Sequence, residues 1–290
     1  MPHASTSTVP ALTPTTRVAF IGGGNMASAI LGGLLRGGLP GGQIQVVEPL
    51  AAVREKLAHE YGIAAHESAG DFLQQADLIV WAVKPQSFAL AAAPVRRHAG
   101  VAGRALHLSV MAGIRIAGIA TALGDTPVRA RIVRAMPNTP ALIGQGMTGL
   151  YAAPGVDATD RAHAEAVIRA TGEALWVADE PLLDAVTALS GSGPAYVFYV
   201  LEAMQTAGVE LGLTHEQERH LAVATCAGSA ALAQQASESL ATLRERVTSK
   251  GGTTHAALTV LDGANVKSTF INALHAAAAR AKELGDEFGA

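Results

Sequence analysis

Residues 17–48 constrain the fold more than any other part of the chain. A short apolar run, RVAFI at 17–21, leads into Gly22-Gly23-Gly24-Asn25-Met26-Ala27, a G-x-G-x-x-A pattern. A small-residue apolar stretch follows to about Leu35, and Gly37, Gly38, Pro40, Gly41 and Gly42 stop it. A second apolar run at 44–47 ends at Glu48, which stands 21 residues beyond Ala27. Strand, glycine turn, helix, strand, acid is the order in which a dinucleotide is held. Each part has a physical task. Gly22 permits the tight turn, Gly24 lets the backbone approach a pyrophosphate, and Ala27 keeps the helix close to the strand. The helix start offers free N–H groups to phosphate oxygens. Glu48 can accept hydrogen bonds from the hydroxyls of an adenosine ribose. A tight strand-to-helix turn without a ligand needs the glycines but not the ordered elements around them.

The alternation continues. Residues 51–61 read as a helix, and 77–83 (DLIVWAV), 105–111 (ALHLSVM) and 129–136 (RARIVRAM) read as strands. Strands alternating with helices predict a parallel sheet with right-handed crossovers, whose ligands lie at the carboxyl ends of the strands. Those ends are residues 22–27, Glu48, Ala82-Val83-Lys84-Pro85, Val110-Met111-Ala112 and Pro137-Asn138-Thr139. Lys84 reads either as a ligand for a phosphate or ribose oxygen or as a solvated charge at a strand end. Asn138 and Thr139, between two prolines, read either as substrate or carboxamide contacts or as a rigid turn.

From residue 180 onward the pattern turns helical, after a possible last strand at 172–178. Helices are expected at 181–190, at 195–211 behind Pro194, from a Thr214/Gln217 capping box to about Gln235, at 238–247, up to Leu261, and from Asn265. This divides the chain into a flexible extension at 1–16, a nucleotide-binding domain at 17–179 and a helical domain at 180–290. The helices at 195–211 and 216–235 are apolar nearly all round, which demands cover on all faces. About 110 residues supply little of it, so a second subunit is expected. The loop at 248–254 (TSKGGTT) leads into a helix start and reads as a carboxylate site or as an ordinary Ser/Thr cap.

Composition excludes several classes. A formal net charge of −3 leaves no electrostatic footprint for nucleic acid. No uncharged apolar run is long enough to cross a bilayer, and the first 16 residues lack the pattern of a signal peptide. Cys226 is the single cysteine, which suits a reducing cytoplasm. The 10 histidines are scattered without ligand spacing, so no metal is expected.

Five segments together resemble pyrroline-5-carboxylate reductase: IGGGNMASAILGGLL at 21–35, AVKPQ at 82–86, RAMPNTPALIGQGMTGL at 134–150, LSGSGPAYVF at 189–198 and VTSKGGTTHAAL at 247–258. The resemblance runs in order over about residues 17–283. It implies an α/β fold, with an N-terminal Rossmann-type parallel sheet domain and an all-α C-terminal domain that interlocks two subunits, the dimers often assembling further. It implies reduction of a cyclic imino acid, 1-pyrroline-5-carboxylate, to proline by hydride from NADPH or NADH. By the same resemblance, Ile21, Gly22, Gly23, Gly24, Asn25 and Met26 contact the cofactor pyrophosphate and Glu48 the adenosine ribose. Ala82, Val83, Lys84, Pro85, Val110, Met111 and Ala112 line the nicotinamide half. Ser249, Gly252, Thr253 and Thr254 belong to the loop that holds the substrate carboxylate, with the Thr254 hydroxyl near the ring nitrogen, and Glu180 contacts the substrate site. Lys250 stands where the family usually has proline, and Ala69 and Arg246 where some members have asparagine.

An iminium carbon accepts hydride readily, so such a site needs positioning more than an acid. This agrees with a sequence that shows no Ser-His-Asp set. A carboxylate at 48 predicts that NADH serves at least as well as NADPH, because it repels a 2′-phosphate. Two other readings compete. One is a β-hydroxyacid dehydrogenase, with Lys250 the candidate acid/base; the other is a nucleotide sensor without turnover.

Overall fold

The structure is a computed structural model that describes residues 12–99 and 105–288. Residues 1–11 of the expected flexible extension lie outside the described residues. The remainder of that segment is anchored: Leu12 packs against the core and Thr16 is buried.

The chain forms two compact units. One runs to Gly191 and takes back the chain from Ala277; the other is Ser192–Ala276. The sequence places its division at 179/180 instead.

In the first unit the strands are β1 (Val18–Ile21), β2 (Ile44–Val47), β3 (Ala65–His66), β4 (Leu78–Trp81), β5 (Leu106–Ser109), β6 (Ile132–Met136), β7 (Gly146–Ala152) and β8 (Gly172–Trp176). They make one sheet in the order β3-β2-β1-β4-β5-β6-β7-β8. Between them lie the helices α1 (Asn25–Arg36), α2 (Ala51–Tyr61), α3 (Phe88–Ala99), α4 (Ile116–Leu123), α5 (Ala158–Arg169) and α6 (Leu182–Val186). β1, β4 and β5 are buried along their whole length, as strands covered on both faces must be. The expected parallel sheet is observed with one correction: β7 runs antiparallel to β6. Neither β7 nor β3 appears in the strand reading. Gly146 and Gly149 interrupt the apolar pattern of β7, and β3 has only two residues. Gly149 has a packing reason, since a Cβ there would meet Val186 of α6 at 2.7 Å.

A polar pair lies inside the sheet's core. The Trp81 indole N–H donates to His107 Nδ1 at 3.0 Å, and Phe88 meets Trp81 edge-on. Burial, helped by Arg131, lowers the His107 pKa from 6.5 to about 4, so the ring is a neutral acceptor. At the far edge, β8 is held by Trp176, which donates to Glu165 at 2.8 Å beneath the Arg161 guanidinium.

A π-helical turn, Thr187–Gly191, closes the first unit. The second unit contains α7 (Gly193–Glu210), α8 (His215–Gln235), α9 (Leu240–Arg246), α10 (Thr253–Gly263) and the start of α11 (Val266–Phe288), whose end belongs to the first unit. Thr214 and Gln217 form the expected capping box. α7 and α8 pack so closely that a Cβ on Gly208 would meet Glu218 Cβ at 2.7 Å. Gly208 is nevertheless the only residue of α7 that is buried, and only Glu218 and Ala222 are buried in α8. Phe198, Tyr199, Leu211, Leu221 and Leu232 are exposed in the single chain.

Candidate active site

The glycine turn is built where β1, β2 and β4 end together. Gly22 adopts φ +98°, and a Cβ there would meet the Ala82 carbonyl oxygen at 2.8 Å. Only glycine combines that backbone with that approach. Its N–H donates to Val47 O at 2.8 Å, and Ala82 N–H to Ile21 O at 2.9 Å, which ties the three strand ends together. Gly24 is the N-cap of α1, with no side chain capping the helix, and a Cβ there would meet nothing within 4 Å. Open space above an uncapped helix start fits a dinucleotide pyrophosphate. Ala27 is fully buried, as close helix-to-strand packing requires.

Glu48 is buried, and its carboxylate faces the glycine turn. Oε2 accepts the Gly23 N–H at 2.9 Å and Oε1 the Leu50 N–H at 2.9 Å. The acid therefore braces the turn. Each carboxylate oxygen has a further lone pair, so bracing does not exhaust its capacity for a hydroxyl. Arg54 lies beside it, but its Nη1 donates to the carbonyls of Glu48 (2.9 Å) and Pro49 (2.7 Å).

The other strand ends follow in order. Ala82, Val83 and Pro85 are half-buried and Lys84 is exposed at the end of β4. After β5, Val110 is half-buried, Met111 buried and Ala112 exposed. Val110 N–H donates to Trp81 O at 3.0 Å. Asn138 stiffens its turn. Its Oδ1 accepts the Met147 N–H at 2.9 Å, and its Nδ2 donates to the Ser190 carbonyl and hydroxyl at 3.2 Å each. Glu180 accepts from Arg134 at 2.7 Å and from the Ile116 N–H at 2.8 Å. Nothing in the sequence reading assigns Arg134 a role. The available signal is a charged residue inside an otherwise apolar strand that ends at the cleft. Nearby, burial raises the Asp184 pKa against the opposing pull of Arg134 and Arg115.

In the second unit, Ser249 and Lys250 are exposed and Gly251 takes φ +74°. Gly252 is the N-cap of α10, with no side chain capping the helix, so Thr253 and Thr254 fall in its first turn. Thr253 is exposed and Thr254 half-buried. Gly252 N–H closes the turn onto Ser249 O at 3.0 Å. The Ser/Thr capping alternative for this loop is thus not what forms. Of the other late lysines, Lys282 pairs with Asp286 at 2.9 Å. Among the described residues no group of His, Cys, Asp or Glu could hold a metal ion.

A sheet of this order with a glycine turn at its centre, joined to a separate helical unit, defines a dinucleotide-binding protein of the Rossmann type. Comparison with known proteins narrows the class. Residues 17–113 match the family described as NADP oxidoreductase, coenzyme F420-dependent. Residues 180–284 match pyrroline-5-carboxylate reductase dimerisation. The chain is 42% identical to a pyrroline-5-carboxylate reductase of Pseudomonas aeruginosa, covering 95% of this chain and 99% of that one. It is similar to the solved pyrroline-5-carboxylate reductase of Coxiella burnetii, with a TM-score of 0.86, 38% identity, and 93% and 98% of the two chains covered. A Plasmodium falciparum pyrroline carboxylate reductase solved with NADP bound gives a TM-score of 0.83 at 26% identity, covering 94% of this chain and 100% of that one. The chain belongs to the pyrroline-5-carboxylate reductase family.

Proposed function

We propose that this protein reduces 1-pyrroline-5-carboxylate to proline with NADH or NADPH, the last step of proline synthesis. The observation that carries the reading is a match at 42% identity that spans both units. The nicotinamide group, when bound, supplies the hydride. The chain's own residues do the rest. Gly22, Gly24, Asn25 and Met26 receive the pyrophosphate at the start of α1, with Ile21 and Gly23 shaping the turn. Glu48 takes the adenosine ribose. Ala82, Val83, Lys84, Pro85, Val110, Met111 and Ala112 line the nicotinamide half. Ser249, Gly252, Thr253 and Thr254 hold the substrate carboxylate, which the uncapped start of α10 supports. The Thr254 hydroxyl steadies the ring nitrogen as it becomes an amine.

The exposed apolar faces of α7 and α8 support a homo-oligomer built from interlocked dimers. No helix of the described residues is long and apolar enough to cross a membrane. We place the protein in the cytoplasm.

The test is loss of cofactor absorbance on adding pyrroline-5-carboxylate, in the parent and in Thr254→Ala, with the oligomeric mass read by light scattering. The parent is expected to turn over as a dimer or a multiple of it. Thr254→Ala is expected to lower kcat/KM by a factor corresponding to about 1–3 kcal/mol, one lost hydrogen bond, while cofactor affinity holds. A parent that oxidises no cofactor overturns the activity, and an unchanged kcat/KM in the variant removes Thr254 from it.

Cofactor choice turns on Glu48. Its carboxylate is fixed in place, and Arg54 is held by two carbonyls rather than free for a 2′-phosphate. NADH is therefore expected to bind at least as well as NADPH. Glu48→Ser should shift the ratio of the two dissociation constants toward NADPH by about tenfold, equivalent to about 1.4 kcal/mol. Calorimetric titration with each cofactor decides it. An equal loss for both would show that Glu48 braces the glycine turn without reading the ribose.

A further inference from the structure

Arg134 is in the middle of β6, its side chain 8% exposed, and its partner Glu180 is 22% exposed. One oxygen of Glu180 collects two donors: Arg134 Nη1 at 2.7 Å and the Ile116 N–H at 2.8 Å. Ile116 is the first residue of α4, whose early N–H groups have no partner within the helix. A carboxylate at that end also suits the helix dipole. Burying an ion pair is costly, and apolar side chains of the same volume often serve stability as well. A contribution to stability therefore explains the pair poorly, whereas a directional role explains it.

The direction is set by what lies between the anchored ends. Residues 110–115 join β5 to α4 without regular structure of their own. Val110 N–H is held by Trp81 O at 3.0 Å, and Ile116 N–H by Glu180. A second brace comes from the end of α11. Gly113, at φ +74°, lies so near Leu284 that an added Cβ would be 3.4 Å from its carbonyl, and Arg115 pairs with Asp286 at 2.7 Å. A turn fixed at both ends and in the middle cannot drift far from a ring that stacks or abuts on it.

We propose that Arg134 and Glu180 are positioning residues that hold the turn between β5 and α4 where it meets the nicotinamide. This rests on the reading that Val110, Met111 and Ala112 line that half of the cofactor. The pair acts through the turn and touches no reacting atom.

The experiment titrates NADH and ADP-ribose into the full-length protein by calorimetry. ADP-ribose carries the adenosine half and the pyrophosphate but no nicotinamide. Ala112→Leu and Glu180→Leu are each expected to weaken NADH about tenfold or more while ADP-ribose changes less than about twofold, because a displaced wall acts on the missing half alone. Glu180→Gln keeps an acceptor oxygen for both donors and is expected to restore most of the NADH affinity. If Ala112→Leu leaves NADH binding unchanged, the lining reading fails and the proposal with it. If Ala112→Leu weakens NADH and Glu180→Leu does not, the lining stands and the positioning role is overturned. Equal weakening of both ligands by Glu180→Leu reduces the pair to a structural one and also overturns the role. Should Glu180→Leu not fold, Arg134→Lys carries the test. That variant keeps the charge but loses the guanidinium's fixed donor geometry. A selective NADH loss of about threefold supports the proposal, and no loss overturns it.

Discussion

Gly172→Ala is expected to remove more than about 3 kcal/mol of stability, a large share of the about 5–15 kcal/mol that holds a typical domain folded. Gly172 opens β8 at φ +145°, and a Cβ there would lie 2.1 Å from Gly146 O and 2.5 Å from Gly146 N. Those are backbone atoms of the paired strand, so no rotamer change relieves the contact. The two glycines face each other in the β7–β8 register, and moving them apart gives up pairing that continues to Leu150 and Trp176. Strain and overlap act together here. The loss should reach the cleft as well, because the chain after β8 carries Glu180. Urea denaturation measures the effect against Gly42→Ala, whose Cβ would meet nothing within 4 Å. A Gly172→Ala variant as stable as Gly42→Ala would refute the packing argument.

Acid should destabilise the fold through His107 by about 3 kcal/mol between pH 6.5 and 4, since each unit of pKa difference is about 1.36 kcal/mol. The folded pKa is lowered from 6.5 to about 4, mainly by burial. Between those two values the unfolded chain binds a proton that the folded one refuses. Stability therefore rises with pH through this window and is fully present above 6.5. Geometry points the same way, because protonated Nδ1 would set an N–H against the Trp81 N–H that it now accepts. His107→Gln offers an amide oxygen in its place and does not titrate. Its urea midpoint should vary less with pH over this range than the parent's, and equal slopes would show that the acid response comes from elsewhere. Trp81 fluorescence gives a second readout at the pair itself.

The nucleotide-binding half was legible because its signals are local. Gly22, Gly24 and Ala27 fall within one strand-helix-strand stretch and form the tight turn, the open helix start and the buried helix contact that their spacing implies, whereas Glu48 also braces the turn through Gly23, which spacing does not show. The helical half was legible through Pro194 and the Thr214/Gln217 box, which need no partner far along the chain. What escaped depends on distant residues or on weak patterns. β7 was hidden by glycines whose reason is Val186 of α6 for Gly149 and Ala141 and the Thr171 carbonyl for Gly146, not their own strand. Arg134 and Glu180 are 46 residues apart, and no periodicity predicts that one oxygen would serve a strand and a helix start at once. Asn138 could be read two ways from its neighbours, and its bonds to Ser190 and Met147, which stiffen the turn, depend on residues its own segment does not reveal.

The return of α11 to the first unit makes the helical segment an insertion. The nucleotide-binding unit is completed by residues from Ala277 onward, beyond the excursion through Ser192–Ala276. A truncation at 191 would remove Leu284 and Asp286, the contacts of Gly113 and Arg115. It would produce a fragment without the contacts that brace the turn between β5 and α4. Anyone grafting another helical module onto this scaffold has two junctions to respect. The second falls inside a continuous helix, α11, with no loop to absorb a change of length. Sequence through the end of α11 therefore belongs to the first unit as much as its strands do, although the helix begins in the other unit.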